Sequence, residues 1–216
     1  MASVAMSSDI ASRCMAAGVP VVLFNRSQVG EGLTSVTSAN TEGGRQVAEF
    51  LLAAGHERFG YIAGWEGAST QIDRESGFRA TLRTAGTDIA ARGVGNFQTT
   101  TSKMAARAMF DTDTPPSAVF VANDHMALAV LDVLRSELGL DVPGDVSVVG
   151  YDDAPPAAWA AYDLTTVRQR ASTMVDETVQ ALLQMIDGTA SPRHIEIDGP
   201  LIVRGSARLP DGWSRS

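Results

Sequence analysis

Asparagine and aspartate stand at the ends of two apolar runs that flank one helical segment, and the sequence's clearest chemistry lies there. Residues 118–122 are apolar and stop at Asn123-Asp124, and residues 146–149 stop at Gly150-Tyr151-Asp152-Asp153. A carboxylate accepts hydrogen bonds, and a carboxamide both donates and accepts them. Asn123 and Asp152 together therefore suit reversible binding of a ligand rich in vicinal hydroxyls. Asp124 and Asp153 read as structural: one belongs to the first turn of a helix and the other to a loop anchor.

That chemistry requires both residues to open into one space. Between the runs, Met126, Val130, Leu131, Leu134 and Leu138 recur at spacings of three and four, which predicts a helix that Gly139 ends. Strand, helix, strand is a crossover unit with parallel strands. In open α/β sheets, ligands bind beyond the carboxyl ends of those strands.

The rest of the chain repeats the alternation. Ser7 or Ser8 caps a helix over 9–17, VVLF forms a strand ending at Asn25-Arg26, and 27–34 is loop. A short strand at 35–38 leads to a helix capped by Thr41 and ending at Ala54, with Val47, Phe50 and Leu51 inward. Strand 59–63, loop 65–71, helix 72–84 and strand 92–97 follow. Thr100 or Thr101 caps the next helix, which runs to Phe110. Beyond Asp153, a helix over 172–186 turns Met174, Val175, Val179, Leu182, Leu183 and Ile186 to one side. Strands 195–197 and 201–203 precede a frayed tail. The expected fold class is α/β, with parallel sheets wrapped by helices.

Composition removes several functions. The 216 residues are 44% hydrophobic and 19% charged with a net charge of −8, and the few basic residues are scattered, so no stripe for nucleic acid exists in this chain. A single cysteine, Cys14, leaves no internal disulfide and reads as a packed thiol. No run reaches the ~18 apolar residues of a membrane span, and the start lacks a secretory pattern, so a cytoplasmic protein is expected. GVGNF lacks the dinucleotide fingerprint and no phosphate-cradling lysine loop occurs, so no cofactor is expected. His56, His125 and His194 have no metal-ligand spacing and read as surface or cap residues.

Seven strings then occur in a telling order: VPVVLFNR, NTEGGRQVAEFLLAAGHERFGYIAG, Arg74-x-x-Gly77-Phe78, PPSAVFVANDHMAL, VPGDVSVVGYDD, LTTVRQ and IVRGSA. Over roughly residues 8 to 207 the chain resembles lac-repressor-type transcription regulators. The resemblance implies a periplasmic-binding-protein-like core of two α/β lobes joined by three crossovers, with a small effector in the cleft. Its crossovers would lie near Asn40, Gln169 and Asp198–Gly199. Residues 1–38 with 171–197 would form an N-terminal lobe, and 41–168 with 200–216 a C-terminal lobe. Members of the family begin with a helix-turn-helix head and further lobe elements that this sequence lacks. The N-terminal lobe is therefore expected to be incomplete, with an open strand edge and bare apolar surface around Val21–Phe24.

The resemblance also assigns residues. Arg74 of the R-x-x-G-F motif would fork onto ligand oxygens, a task its five fixed donors suit. Arg74→Ala is accordingly expected to abolish the effector response of an intact regulator without unfolding it. Phe97 would stack on the ligand, Asn25 and Gln169 would enter the cleft, and Thr70 would add a hydroxyl or cap a helix. Arg170 and Ala171, where proline often follows the glutamine, and Ala39, where aspartate is frequent, depart from the family pattern. Trp159 would belong to a dimer contact or a lid. The implied function is effector binding and dimerisation, sugar or purine being the effector class, in a homodimer reaching operator DNA only through the head. A periplasmic-type sugar receptor and a doubly wound enzyme acting on a sugar or nucleotide are the alternatives.

Overall fold

A computed structural model describes residues 1, 4–28, 32–189 and 191–216, so 29–31 of the expected 27–34 loop lie outside the described residues. In chain order the elements are α1 (Ile10–Ala16), β1 (Val22–Phe24), β2 (Thr34–Ser38), α2 (Asn40–Ala53), β3 (Phe59–Ala63), α3 (Ser69–Thr84), β4 (Ile89–Val94) and α4 (Thr99–Phe110). They continue with β5 (Ala118–Val121), α5 (Asp124–Asp132), a π-helical turn (Val133–Glu137), β6 (Ser147–Asp152), β7 (Thr165–Arg168), α6 (Ala171–Ile186), β8 (His194–Ile197) and β9 (Leu201–Ile202).

The strands form two sheets. One has the order β1-β2-β8, all parallel, and the other β4-β3-β5-β6-β7-β9. Parallel pairing runs through the larger sheet to β7, but β9 is antiparallel to it. That departs from an all-parallel expectation. The three-residue link from β8 carries the chain directly into the larger sheet at the carboxyl end of β7, so β9 runs against β7. It passes between the sheets after β2, after β7 and after β8.

The central strands β3 and β5 are continuous buried runs without a charged or strongly polar residue because helices cover both of their faces, whereas the equally buried β2 is mostly threonine and serine. The centre of the larger sheet holds Phe59, Tyr61, Phe78 and Phe120, with ring centroids 5.2 Å apart for Phe78 and Phe120 and 5.3 Å for Tyr61 and Phe120. The helices α2 and α3 pack at backbone distance. A Cβ on Gly77 would lie 1.9 Å from the Thr41 carbonyl oxygen, and one on Gly44 would lie 2.2 Å from that of Arg74.

Several local expectations change. Ser7, Thr41, Thr100 and Thr101 make no side-chain caps; Asp9, Ala39 and Gln98 hold the N-cap positions, and Ser8 Oγ accepts from the Ile10 amide at 3.4 Å. Three residues given to a loop, Ser69, Thr70 and Gln71, open α3. β4 lies at 89–94 rather than 92–97: its Ala-Ala-Arg-Gly interior gives no β-branched signal, and its position is set by pairing with β3. Leu138 is exposed because the π-helical turn rotates it off the inner face.

Val21–Leu23 is not bare. Ala11, Cys14 and Met15 cover one side, and Val22 packs with Met174 on the other. Met1 also bonds Val22 and Phe24 along the edge. The exposed apolar surface lies instead on α6, where Val175, Val179, Leu183 and Ile186 are 49–61% exposed. The tail is not frayed either, since Trp213 packs on Phe50 and the Ser216 amide donates to the Val203 carbonyl.

His56, expected at the surface, is 3% exposed at the amino end of the larger sheet. Its Nε2 is 2.9 Å from Ser147 Oγ, its Nδ1 is 3.0 Å from Ser117 Oγ, and Arg208 approaches Nδ1 at 3.3 Å. Burial, with the Arg208 charge adding to it, pushes the imidazole down to about 4 from 6.5. The folded state therefore resists a proton that the unfolded chain takes up. This contribution is complete above pH 6.5 and is lost as pH falls from there towards 4, by up to about 3 kcal/mol. Urea unfolding at pH 8 and pH 5 checks this: the wild type should lose stability on acidification by a margin that His56→Gln does not share.

Candidate functional site

Arg74 lies in the second turn of α3, where the glycine-mediated contact with α2 holds it inward, and it is 3% exposed. Its Nε donates to Asn40 Oδ1 at 2.8 Å and its Nη1 to the Ala122 carbonyl at 2.5 Å. Its Nη2 is 3.5 Å from Asp152 Oδ1, and the guanidinium carbon sits 3.6 Å from the Tyr151 ring centroid. The Tyr151 hydroxyl is 3.1 Å from Ser38 Oγ. One side chain thus ties together the first crossing between the sheets, the end of β5 and the end of β6. Alanine at 74 would strip buried polar partners, so a loss of stability is expected beside the loss of effector response.

Asp152 ends β6 with φ 126°, and Gln169 Nε2 donates to its Oδ1. Burial raises the Asp152 carboxyl above its ordinary range, while the Arg74 charge and the Gln169 bond oppose that rise. Asn123 follows β5 and caps α5, its Oδ1 accepting from the Met126 amide at 3.1 Å. With that oxygen committed, the amide's two N–H groups are what it can offer a ligand. Asn123 is therefore a donor beside the acceptor Asp152.

Asn25 follows β1 with φ 53°, and its Oδ1 is buried without a hydrogen-bond partner among the described residues. Phe97, at φ 57°, lies against Gly64, where a Cβ would fall 2.2 Å from the ring. Left-handed backbone in three non-glycine residues of one site costs of order 1–3 kcal/mol each, strain that concentrates where ligands are held. Thr70 is buried in the first turn of α3, and Ala68 rather than Thr70 is the cap.

All seven residues expected at the site, Asn25, Thr70, Arg74, Phe97, Asn123, Asp152 and Gln169, line one cavity of about 220 Å³ between the two sheets. Arg26, which the sequence reading passed over, lines it as well. Its only sequence signal was a cation directly after the polar stop of an apolar strand.

Asp124 and Asp153 stay outside. Asp124 accepts from Thr166 Oγ1 at 2.6 Å and the Ala154 amide at 2.8 Å, and burial pushes it up to about 6 despite those bonds. Asp153 pairs with Arg168 at 2.6 Å and Arg204 at 2.7 Å. Burial works to raise its carboxyl, but the two arginines outweigh that and hold it below the ordinary range.

Trp159 is 59% exposed and does not line the cavity. A larger groove of about 570 Å³ follows β4 and α4, with Arg58 and Arg92 as its charged members. Arg92 is already paired with Glu75 and Glu66, and Arg58 donates to Thr114. Size alone therefore does not mark the site. Among the described residues no cluster of His, Cys, Asp or Glu could hold a metal, and no helix is long and apolar enough to cross a membrane.

Two α/β sheets with strand ends meeting at a polar cavity are the architecture of a periplasmic-binding-protein-like ligand-binding core. The periplasmic binding protein-like domain family matches residues 32–207, and the chain belongs to that family. Within it, the sequence and fold are similar to the core of lac-repressor-type regulators. The HTH-type transcriptional regulator CelR of Thermobifida fusca is 37% identical over 196 residues, which are 88% of this chain and 57% of that protein. The HTH-type transcriptional repressor PurR of Vibrio vulnificus (strain CMCP6) is 30% identical over 196 residues, 89% of this chain and 58% of the relative. This chain therefore spans less than two thirds of the length of either relative. Among solved structures, a transcriptional regulator CelR–cellobiose complex superposes with a TM-score of 0.89 at 34% identity, covering 96% of this chain and 64% of the other. A dimeric lac repressor with a C-terminal deletion gives 0.85 at 27%, covering 93% and 73%.

Proposed function

We propose that this chain is the effector-binding and dimerisation core of a lac-repressor-type transcription regulator, with a sugar as effector. Residues 1–38 with 171–197 form one lobe and 41–168 with 200–216 the other. The observation that carries the reading is convergence: hydrogen-bonding side chains from strand ends of both sheets share one cavity with a half-buried aromatic ring. A polyol's hydroxyls match the donor Asn123 and the acceptor Asp152, and its apolar face matches Phe97.

A ligand held by both lobes favours whichever arrangement brings them together. Its leverage is the difference in its affinity for the two arrangements, typically ~1–3 kcal/mol. In the intact protein a homodimer with helix-turn-helix heads would convert that shift into a change in operator binding, in the cytoplasm. Trp159 is placed at the dimer contact. The relatives are regulators, and we assign this chain binding without catalysis.

The test is a thermal-shift panel of pentoses, hexoses, disaccharides including cellobiose, sugar acids and purines. A true effector at 100 times its dissociation constant adds about 2.7 kcal/mol, which is roughly 5–10 °C in Tm for a chain of this length. A panel without any saturable shift would count against the reading.

A further inference from the structure

Three charged side chains line the cavity: Arg26, Arg74 and Asp152. Asp152 is the counter-ion of Arg74, at 3.5 Å. Among the described residues no carboxylate lies within ion-pair distance of Arg26, and its donated hydrogen bond runs from Nη1 to the Asn25 carbonyl at 2.6 Å. Among the described residues its remaining donors are uncommitted, and the Arg74 charge faces it across the same space. Burial and that like charge both lower the Arg26 pKa, with Asp152 opposing them only in part. Directly beside it, Asn25 Oδ1 is a buried acceptor with no donor among the described residues. A neutral sugar's hydroxyls could accept from this guanidinium but would leave its charge uncompensated, at a cost in desolvation.

We infer that the effector is a sugar acid, its carboxylate bound by Arg26 and a neighbouring hydroxyl donating to Asn25 Oδ1. The inference rests on the effector reading above and narrows its ligand class. Two cations against one carboxylate leave a single positive charge, which one carboxylate neutralises, whereas a phosphate dianion would overshoot. Arginine's planar fork also matches a carboxylate with two parallel bonds. A cavity of about 220 Å³ lies below the ~300 Å³ at which drug-sized pockets begin, so a monosaccharide derivative fits the space.

Isothermal titration of the chain at pH 7 would compare D-glucuronate, D-galacturonate and D-gluconate with D-glucose, D-galactose and cellobiose, and with glucose 6-phosphate. At least one sugar acid should bind about tenfold to a hundredfold more tightly than its neutral counterpart, the usual worth of a hydrogen bond to a charged group. Arg26→Gln, checked for fold by circular dichroism, should reduce that preference to within about twofold. Equal binding of neutral sugars, or an acid preference that survives Arg26→Gln, overturns the inference but leaves the effector reading standing. Tightest binding by glucose 6-phosphate overturns the carboxylate assignment. Failure of every sugar, acid or neutral, removes the effector reading and this inference with it.

Discussion

Replacing Arg74 by alanine should lower stability by about 3–5 kcal/mol, the usual cost of stripping one partner from a buried charge cluster, and should abolish ligand binding. The stability loss follows from what would be left behind. Asn40 Oδ1, the Ala122 carbonyl and Asp152 would lose a donor, and the Tyr151 ring would lose the cation over its face. For a chain of this size that loss corresponds to a fall of roughly 6–20 °C in Tm. The binding loss has a separate origin, because the same guanidinium borders the cavity. Arg74→Lys separates the two effects. It keeps the charge near Asp152 but cannot make the fork, so it should restore roughly half of the stability while binding stays at least tenfold weaker. Calorimetry gives the first quantity and titration below the melting transition the second. An alanine variant melting with the wild type would show that the guanidinium holds nothing together.

Gly77→Ala should be nearly as damaging without touching a polar group. The added carbon would meet the Thr41 carbonyl oxygen at 1.9 Å. The obstacle is backbone, so no side chain can swing aside and α3 must move off α2. Overpacking of this kind costs about 3 kcal/mol or more when the neighbour cannot yield. Gly86→Ala is the control. Gly86 has φ +81° but nothing within 4 Å of a new Cβ, so it carries only the left-handed penalty of about 1–2 kcal/mol. Displacing α3 would also draw Arg74 away from Asn40, so Gly77→Ala should weaken ligand binding and Gly86→Ala should not. Equal melting temperatures for the two variants would refute the close-packing account.

These two residues show what was readable in the sequence and what was not. Asn123 and Asp152 announced themselves because a polar stop after a buried parallel strand has few other uses, and the helix between them fixed their adjacency. The R-x-x-G-F string placed Arg74 by resemblance. The reason for its glycine, the Thr41 carbonyl 36 residues away in α2 folded against it, has no local signature. Arg26 was hidden for a similar reason: a cation after a strand is ordinary until a cavity is seen around it. The burial of His56 depends on serines 61 and 91 residues distant, and no periodicity reports such a pairing. The left-handed backbone at Asn25, Phe97 and Asp152 falls on residue types that carry no turn rule strong enough to forecast it. On α6 the sequence showed an apolar stripe but not its partner, and the stripe is largely exposed.

The central claim is that one polar cavity between the two sheets receives the effector. Its most direct test is a two-dimensional nitrogen–proton spectrum of the chain, titrated with the best sugar from the binding panel. Side-chain signals of Asn25, Asn123 and Gln169 and the Nε–H signals of Arg26 and Arg74 should move together along one saturable curve. The contradicting result is equally plain: those five stay still while residues of β4 and α4, around the larger groove, do the shifting.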